Sequence, residues 1–241
     1  MSSPRHLLIT RQVPAHWLHT LPDAGCQLHA IPFVETLPLT DDDVCQQVQQ
    51  WAAQRVLALF TSPRAVAEVA ASLGAGMPPW QVACVGPATA AAVQQQWPEL
   101  PVVCVAHDAA SLAAAAIPLV PALPVVHFCS QQRLPVLAAA FAANHRPLQT
   151  VAVYQTVQQP QCLTRHFDAV LFCSPSAVNS FFSVNAVPSA TTLLAMGDTT
   201  AAAVQQASGR AAEVLPAQSV QQFIQLAVAH MSATAYSAQL S

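Results

Sequence analysis

The chain has 241 residues, a formal net charge of −3 and only 8% charged residues, and it contains no lysine. Such sparse charge, with no basic cluster, argues against nucleic acid as a partner. The 54% hydrophobic content and mean hydropathy of +0.40 reflect abundant alanine, the best helix former, and Pro, Gln and His break every run before the roughly 18 apolar residues that a membrane span needs.

The seven cysteines are scattered and form no C-x-x-C pair, which predicts buried reduced thiols and no metal or redox centre. Residues 1–5 lack the basic segment and apolar core of an export signal, so a cytoplasmic location is expected.

In chain order, Leu7 to Thr10 reads as a strand, His16 to Leu21 has helical spacing, and Gln27 to Phe33 is a second strand-like run. Residues 34–40 read as an extended, proline-marked connector. Thr40 or Asp41 starts a helix with Asp41, Asp42 and Asp43 in its first turn, where the helix dipole favours acids. Strands are expected at Val56–Phe60, Val82–Val85, Val102–Val105, Val125–Cys129 and Leu148–Val153. Helices at Pro63–Leu73, Ala88–Gln96, Ala109–Ala116 and Leu134–Ala143 alternate with them. The uninterrupted run Val56–Phe60 suits a strand buried on both faces of a parallel sheet.

The strand ending at Val153 runs on through Tyr154-Gln155-Thr156-Val157, a second extended segment closed by Pro160. Beyond it the pattern predicts strand Ala169–Phe172, helix Pro175–Phe182, strand Leu193–Met196, helix Thr199–Gln206, a short strand near Glu213–Leu215 and a helix from Val220 to His230. Residues 231–241 read as a loose polar tail.

Alternating βα units imply parallel sheets with helices on both faces. Too few units follow residue 165 to make a comfortable domain, and the N-terminal strand–helix–strand unit supplies the deficit. The fold class expected is therefore α/β, with two Rossmann-like or flavodoxin-like parallel-sheet domains joined by a two-stranded antiparallel β linker. One domain is discontinuous (1–33 plus 159–241), the other is inserted (41–150), and 34–40 with 151–158 are the connector strands.

Two motifs recur in the same order. Leu59-Phe60-Thr61-Ser62-Pro63-Arg64-Ala65-Val66 returns as Leu171-Phe172-Cys173-Ser174-Pro175-Ser176-Ala177-Val178, and Val85-Gly86-Pro87-Ala88-Thr89-Ala90 as Met196-Gly197-Asp198-Thr199-Thr200-Ala201. Ser before Pro suits an N-cap followed by the first helical position; Gly86 and Gly197 permit close turns, with Thr89, Thr199 and Thr200 at the helix starts behind them. All four turns fall at the carboxyl ends of strands, where ligands collect, and free first-turn N–H groups there favour anions. Ordinary helix capping is the competing reading for each turn taken singly. Arg11 and Arg64 follow strand ends and serve either as anion contacts or as solvated caps; Tyr154, taken alone, reads as an amphipathic packing residue.

Taken together, Phe60 to Val66, Val85 to Ala90, Val153-Tyr154-Gln155-Thr156, Phe172 to Ala177 and Gly197 to Ala201 make the chain resemble the uroporphyrinogen-III synthase family. The resemblance implies two α/β domains joined by a two-stranded ladder, and a cofactor-free, metal-free hydro-lyase that closes hydroxymethylbilane, a linear tetrapyrrole with eight carboxylates, while inverting its last ring. It implies a catalytic role for Tyr154 in departure of the hydroxyl. It also implies carboxylate contacts from Thr61, Ser62, Thr89, Ser174, Thr199, Thr200 and neighbouring amides; Arg11, Arg64, Gly86, Ser176 and Gly197, which lie in or beside the same turns, complete the expected substrate-binding set. The expected protein is a cytoplasmic monomer receiving its substrate from hydroxymethylbilane synthase. Cys173 departs from the pattern by replacing the hydroxyl that Thr61 supplies in the first repeat, and the absence of lysine removes any lysine contact. The rival reading is a non-catalytic two-domain binding module for a polyanionic metabolite, which would return its ligand unchanged.

Overall fold

The computed structural model describes residues 4–19, 25–119 and 123–239. Its elements are β1 (Arg5–Ile9), α1 (Ala15–His19), β2 (Cys26–Ala30), β3 (Val34–Pro38), α2 (Asp42–Ala52), β4 (Leu57–Phe60), α3 (Pro63–Leu73), β5 (Gln81–Val85), α4 (Pro87–Gln96), β6 (Val102–Ala106) and α5 (Ala109–Leu119). There follow β7 (Val125–Ser130), α6 (Val136–Ala143), β8 (Gln149–Gln158), β9 (Ala169–Phe172), α7 (Pro175–Phe182), β10 (Thr192–Ala195), α8 (Asp198–Ser208), β11 (Glu213–Val214) and α9 (Val220–Gln239). They divide into a terminal unit, Met1–Glu35 with Val157–Ser241, and an inserted unit, Thr36–Thr156.

In the terminal unit a parallel sheet runs β11-β10-β9-β1-β2. The N-terminal strands thus continue the sheet that the C-terminal units begin. In the inserted unit the order is β3-β8-β7-β4-β5-β6, parallel from β8 to β6. The edge strand β3 runs against β8: Leu39 N–H donates to Val153 O, whereas Gln159 N–H donates to Phe33 O, so one strand ascends as the other descends.

The central strands β4 and β9 are buried along their whole length. Side chains alternate across the inserted sheet: Ala58 and Phe60 join the cluster with Val66, Trp80, Trp97 and Phe128, and Leu57 and Leu59 join Leu112, Leu137 and Phe141 on the other face. The terminal sheet is likewise covered on both faces, Leu7 and Ile9 packing with Phe223 and Ile224, and Leu8 with Phe172 and Phe181. Each such side chain contributes about 1.5–3 kcal/mol when fully buried.

The structure corrects the reading of residues 231–241 as a loose tail, since α9 continues to Gln239. Ile224, Ala227, Val228 and Met231 are buried at helical spacing in one core cluster, and no Gly or Pro follows in Ser232 to Gln239 to stop the helix. The thiols are all free, but Cys104 and Cys173 are only half-buried and Cys162 is exposed, so burial does not describe the set. Smaller shifts sit at proline: Pro135 is the N-cap of α6, which delays that helix to Val136. The predicted helix His16 to Leu21 is seen as Ala15–His19, and Thr20 and Leu21 lie outside the described residues.

Candidate functional site

Each unit has one edge where the carboxyl ends of parallel strands meet helix starts, the place where such sheets bind ligands. In the inserted unit β4, β5 and β7 reach this edge together, Phe60 being in register with both Cys84 and Phe128. β4 leads directly into Thr61 and Ser62. Ser62 is the N-cap of α3; its extended backbone lets the hydroxyl accept from Arg64 N–H at 3.2 Å, and Pro63 opens the helix, where its missing N–H is no loss.

β5 leads into Gly86, the N-cap of α4, at φ 77° and ψ 153°, a conformation that in practice only glycine takes up. Pro87 follows, and the first-turn N–H groups of Ala88 and Thr89 have no intrahelical acceptor.

Thr61 is half-buried, with its Oγ1 3.2 Å from Nε2 of His127 on β7. His127 is 4% exposed. Burial, and secondarily the Arg133 charge, lower its pKa to about 4, so the imidazole is neutral at pH 7.

Tyr154 comes to this edge through an irregularity in β8. Cys129 pairs with Ala152 but Ser130 pairs with Tyr154, so two residues of β8 oppose one step of β7. A bulge of this kind re-aims a side chain, and here the adjacent Val153 and Tyr154 both pack on the cluster that contains Phe60. The turn after β7 clamps the segment: Gln131 N–H donates to Tyr154 O at 2.8 Å, and Thr156 N–H donates to Gln132 Oε1 at 2.9 Å. Half-buried Tyr154 makes no phenol hydrogen bond among the described residues, which leaves its O–H available to a ligand.

Arg64 is less available than its position in sequence implies. Its Nε is 2.6 Å from Glu68 Oε1 and its Nη2 donates to Thr36 O at 3.3 Å.

In the terminal unit, β1 leads through buried Thr10, whose hydroxyl donates to Leu171 O at 3.0 Å, to exposed Arg11. β9 leads through Cys173 to Ser174, the N-cap of α7, which accepts from Ala177 N–H at 3.3 Å and lies 3.2 Å from Ser176 Oγ. Burial pushes the pKa of the Cys173 thiol up to about 11, with the Arg11 guanidinium opposing it. Cys173 is therefore a protonated thiol at neutral pH and a poor nucleophile.

Three expectations change here. Gly197 caps α8 at φ −169° and ψ 170°, extended backbone that any residue adopts, so its turn does not require glycine as that of Gly86 does. Thr89 and Thr200 are only 2% and 4% exposed, so each offers a ligand no more than a small part of its side chain. The Thr200 N–H is also taken, by Gly197 O at 3.1 Å. Exposed Asp198 occupies the first turn of α8 and fills the place that the helix dipole offers to an anion.

The structure therefore brings Thr61, Ser62, Gly86, the Thr89 amide and Tyr154 to one edge of the inserted unit. It brings Arg11, Ser174, Ser176, Gly197 and Thr199 to the corresponding edge of the terminal unit. Cavities of about 240 and 370 Å³ in the terminal unit and about 290 Å³ in the inserted unit are lined by other residues. His127 and Gln132 are additions that the sequence reading missed. The only signal for His127 is a lone polar residue inside Val125-Val126-His127-Phe128-Cys129.

A family model described as uroporphyrinogen-III synthase HemD matches residues 16–224. Among solved structures, the chain is similar to uroporphyrinogen-III synthetase from Helicobacter pylori, with a TM-score of 0.68, 15% identity and coverage of 93% of this chain and 99% of that one. It is also similar to a mutant uroporphyrinogen III synthase from the extremely thermophilic bacterium Thermus thermophilus, with a TM-score of 0.61, 19% identity and coverage of 92% and 96%. At these identities the likeness shows the fold: two-domain α/β, with one of the two parallel sheets carrying an antiparallel pair. No curated protein gives a significant match.

Proposed function

Because the chain belongs to the uroporphyrinogen-III synthase family, hydro-lyases of tetrapyrrole biosynthesis whose substrate is hydroxymethylbilane, we propose that its two strand edges bind that substrate's carboxylates and that Tyr154 is its general acid. The observation that carries the second part is the bulge opposite Ser130, which presents an unbonded phenol at an edge otherwise made of capped helix starts. A phenolic O–H is a hydrogen-bond donor at neutral pH, and proton donation to the departing hydroxyl produces water and an azafulvene cation. The azafulvene is then attacked by the substituted carbon of the last ring, and the resulting spiro intermediate fragments and recloses with that ring inverted. Positioning is the protein's other task, because the substrate also closes without inversion.

Carboxylate binding falls mainly to amides and hydroxyls, since the arginines are spread along the chain and Arg64 is already engaged with Glu68. Thr61, Ser62, Gly86 and the Ala88 and Thr89 amides are the groups offered by the inserted unit. Arg11, Ser174, Ser176, Gly197 and Thr199 are those offered by the terminal unit. The reading includes a monomer acting in the cytoplasm without a cofactor, supplied by hydroxymethylbilane synthase. No helix among the described residues is long and apolar enough to cross a membrane.

Tyr154→Phe tests the acid. Turnover is expected to fall about 10-fold or more, within the range usual for a general acid, with KM changed little because the ring and its packing remain. An unchanged kcat removes Tyr154 from the mechanism.

A further inference from the structure

We propose that His127 is a positioning residue whose Nε2–H donates to Thr61 Oγ1, so that the Thr61 hydroxyl proton is directed at a substrate carboxylate. This rests on the reading that Thr61 is a carboxylate contact. The two groups are 3.2 Å apart, and a hydroxyl carries one proton that rotates to suit its surroundings. If the imidazole accepts, the Thr61 proton is spent on it and the oxygen shows an anion only its lone pairs. If the imidazole donates, the proton is left for the ligand. A neutral imidazole has both tautomers available, and a bound carboxylate selects the second.

The internal repeat gives an independent reason to couple the two residues. On β4 and β7 Leu59 is in register with His127, and on β9 and β1 Leu171 is in register with Ile9. Ile9 is thus the counterpart of His127, as Cys173 is of Thr61. One copy pairs an imidazole with a hydroxyl; the other pairs isoleucine with a thiol, and those two pack in one core cluster. Both partners differ together, as expected if the polar residue on the central strand is there for the residue that follows the neighbouring strand. An imidazole placed where it is 4% exposed is otherwise a costly choice for the sheet.

The test is a double-mutant cycle on hydroxymethylbilane turnover with Thr61→Val, His127→Leu and the pair, and with His127→Gln, whose amide N–H replaces Nε2–H. A lost hydrogen bond to a charged group predicts that Thr61→Val and His127→Leu each raise KM about 10-fold with kcat little changed. The pair should be no worse than Thr61→Val alone, and His127→Gln should stay near the wild-type KM. If Thr61→Val raises KM but His127→Leu does not, or if their effects multiply, the positioning role is overturned and the carboxylate reading stands. If Thr61→Val leaves KM unchanged, both are overturned. Should His127→Leu fail to fold, His127→Asn, whose amide is too short to reach, takes its place, and KM restored by Gln but not by Asn is the result expected.

Discussion

Phe60→Ala is expected to destabilise the inserted unit by about 3–5 kcal/mol, the usual cost of truncating a buried phenylalanine. Phe60 is 0% exposed, with its ring centroid 5.4 Å from that of Phe128, 6.4 Å from Trp80 and 6.5 Å from Trp97. The cost belongs at the upper part of the range because the neighbours cannot close in. The Trp80 indole N–H is tied to Trp51 O at 2.9 Å and the Trp97 indole N–H to Gly76 O at 3.2 Å. Urea denaturation followed by tryptophan fluorescence should show a lower midpoint at unchanged slope, with Phe60→Leu losing clearly less. A loss below about 1 kcal/mol would mean that the site collapses freely, against the reading of the core. The effect extends to function, since Phe60 directly precedes Thr61 and Ser62 and fixes where β4 delivers them.

Acid is expected to weaken the inserted unit through His127. Its folded-state pKa is about 4 against an ordinary 6.5, so between those values the unfolded chain holds a proton that the folded chain rejects. Stability from this group is therefore complete above about pH 6.5 and is lost as the pH falls towards 4, by about 3 kcal/mol in all. Comparing unfolding free energies at about pH 7 and about pH 4.5, the wild type should lose about 2 kcal/mol more than His127→Gln, which has no imidazole to protonate. Parallel losses in the two proteins would show that His127 is not buried as neutral imidazole.

Legibility in the sequence followed the range of the interaction. The Ser62-Pro63 and Ser174-Pro175 caps depend on adjacent residues and were readable, as were β4 and β9, whose uninterrupted apolar runs state that both faces are covered. The motif around Tyr154 is visible in the sequence, but the residue's route to the edge is not, because the bulge is a mismatch between β7 and β8 that neither strand shows alone. The partnership of His127 with Thr61 is hidden for the same reason: it depends on cross-strand register. The low exposure of Thr89 and Thr200 follows from helix phase, which a position at a helix start does not show. Gly86 and Gly197 look alike in sequence, yet only Gly86 has positive φ. α9 runs past its expected end because the small residues after Met231 include no Gly or Pro to terminate a helix.

The most direct measurement is the isomer composition formed when the protein is incubated with enzymatically generated hydroxymethylbilane and the product is oxidised and separated. The account predicts uroporphyrinogen III, formed faster than the unassisted closure. Product that remains the type I isomer at the rate of the protein-free control would contradict it.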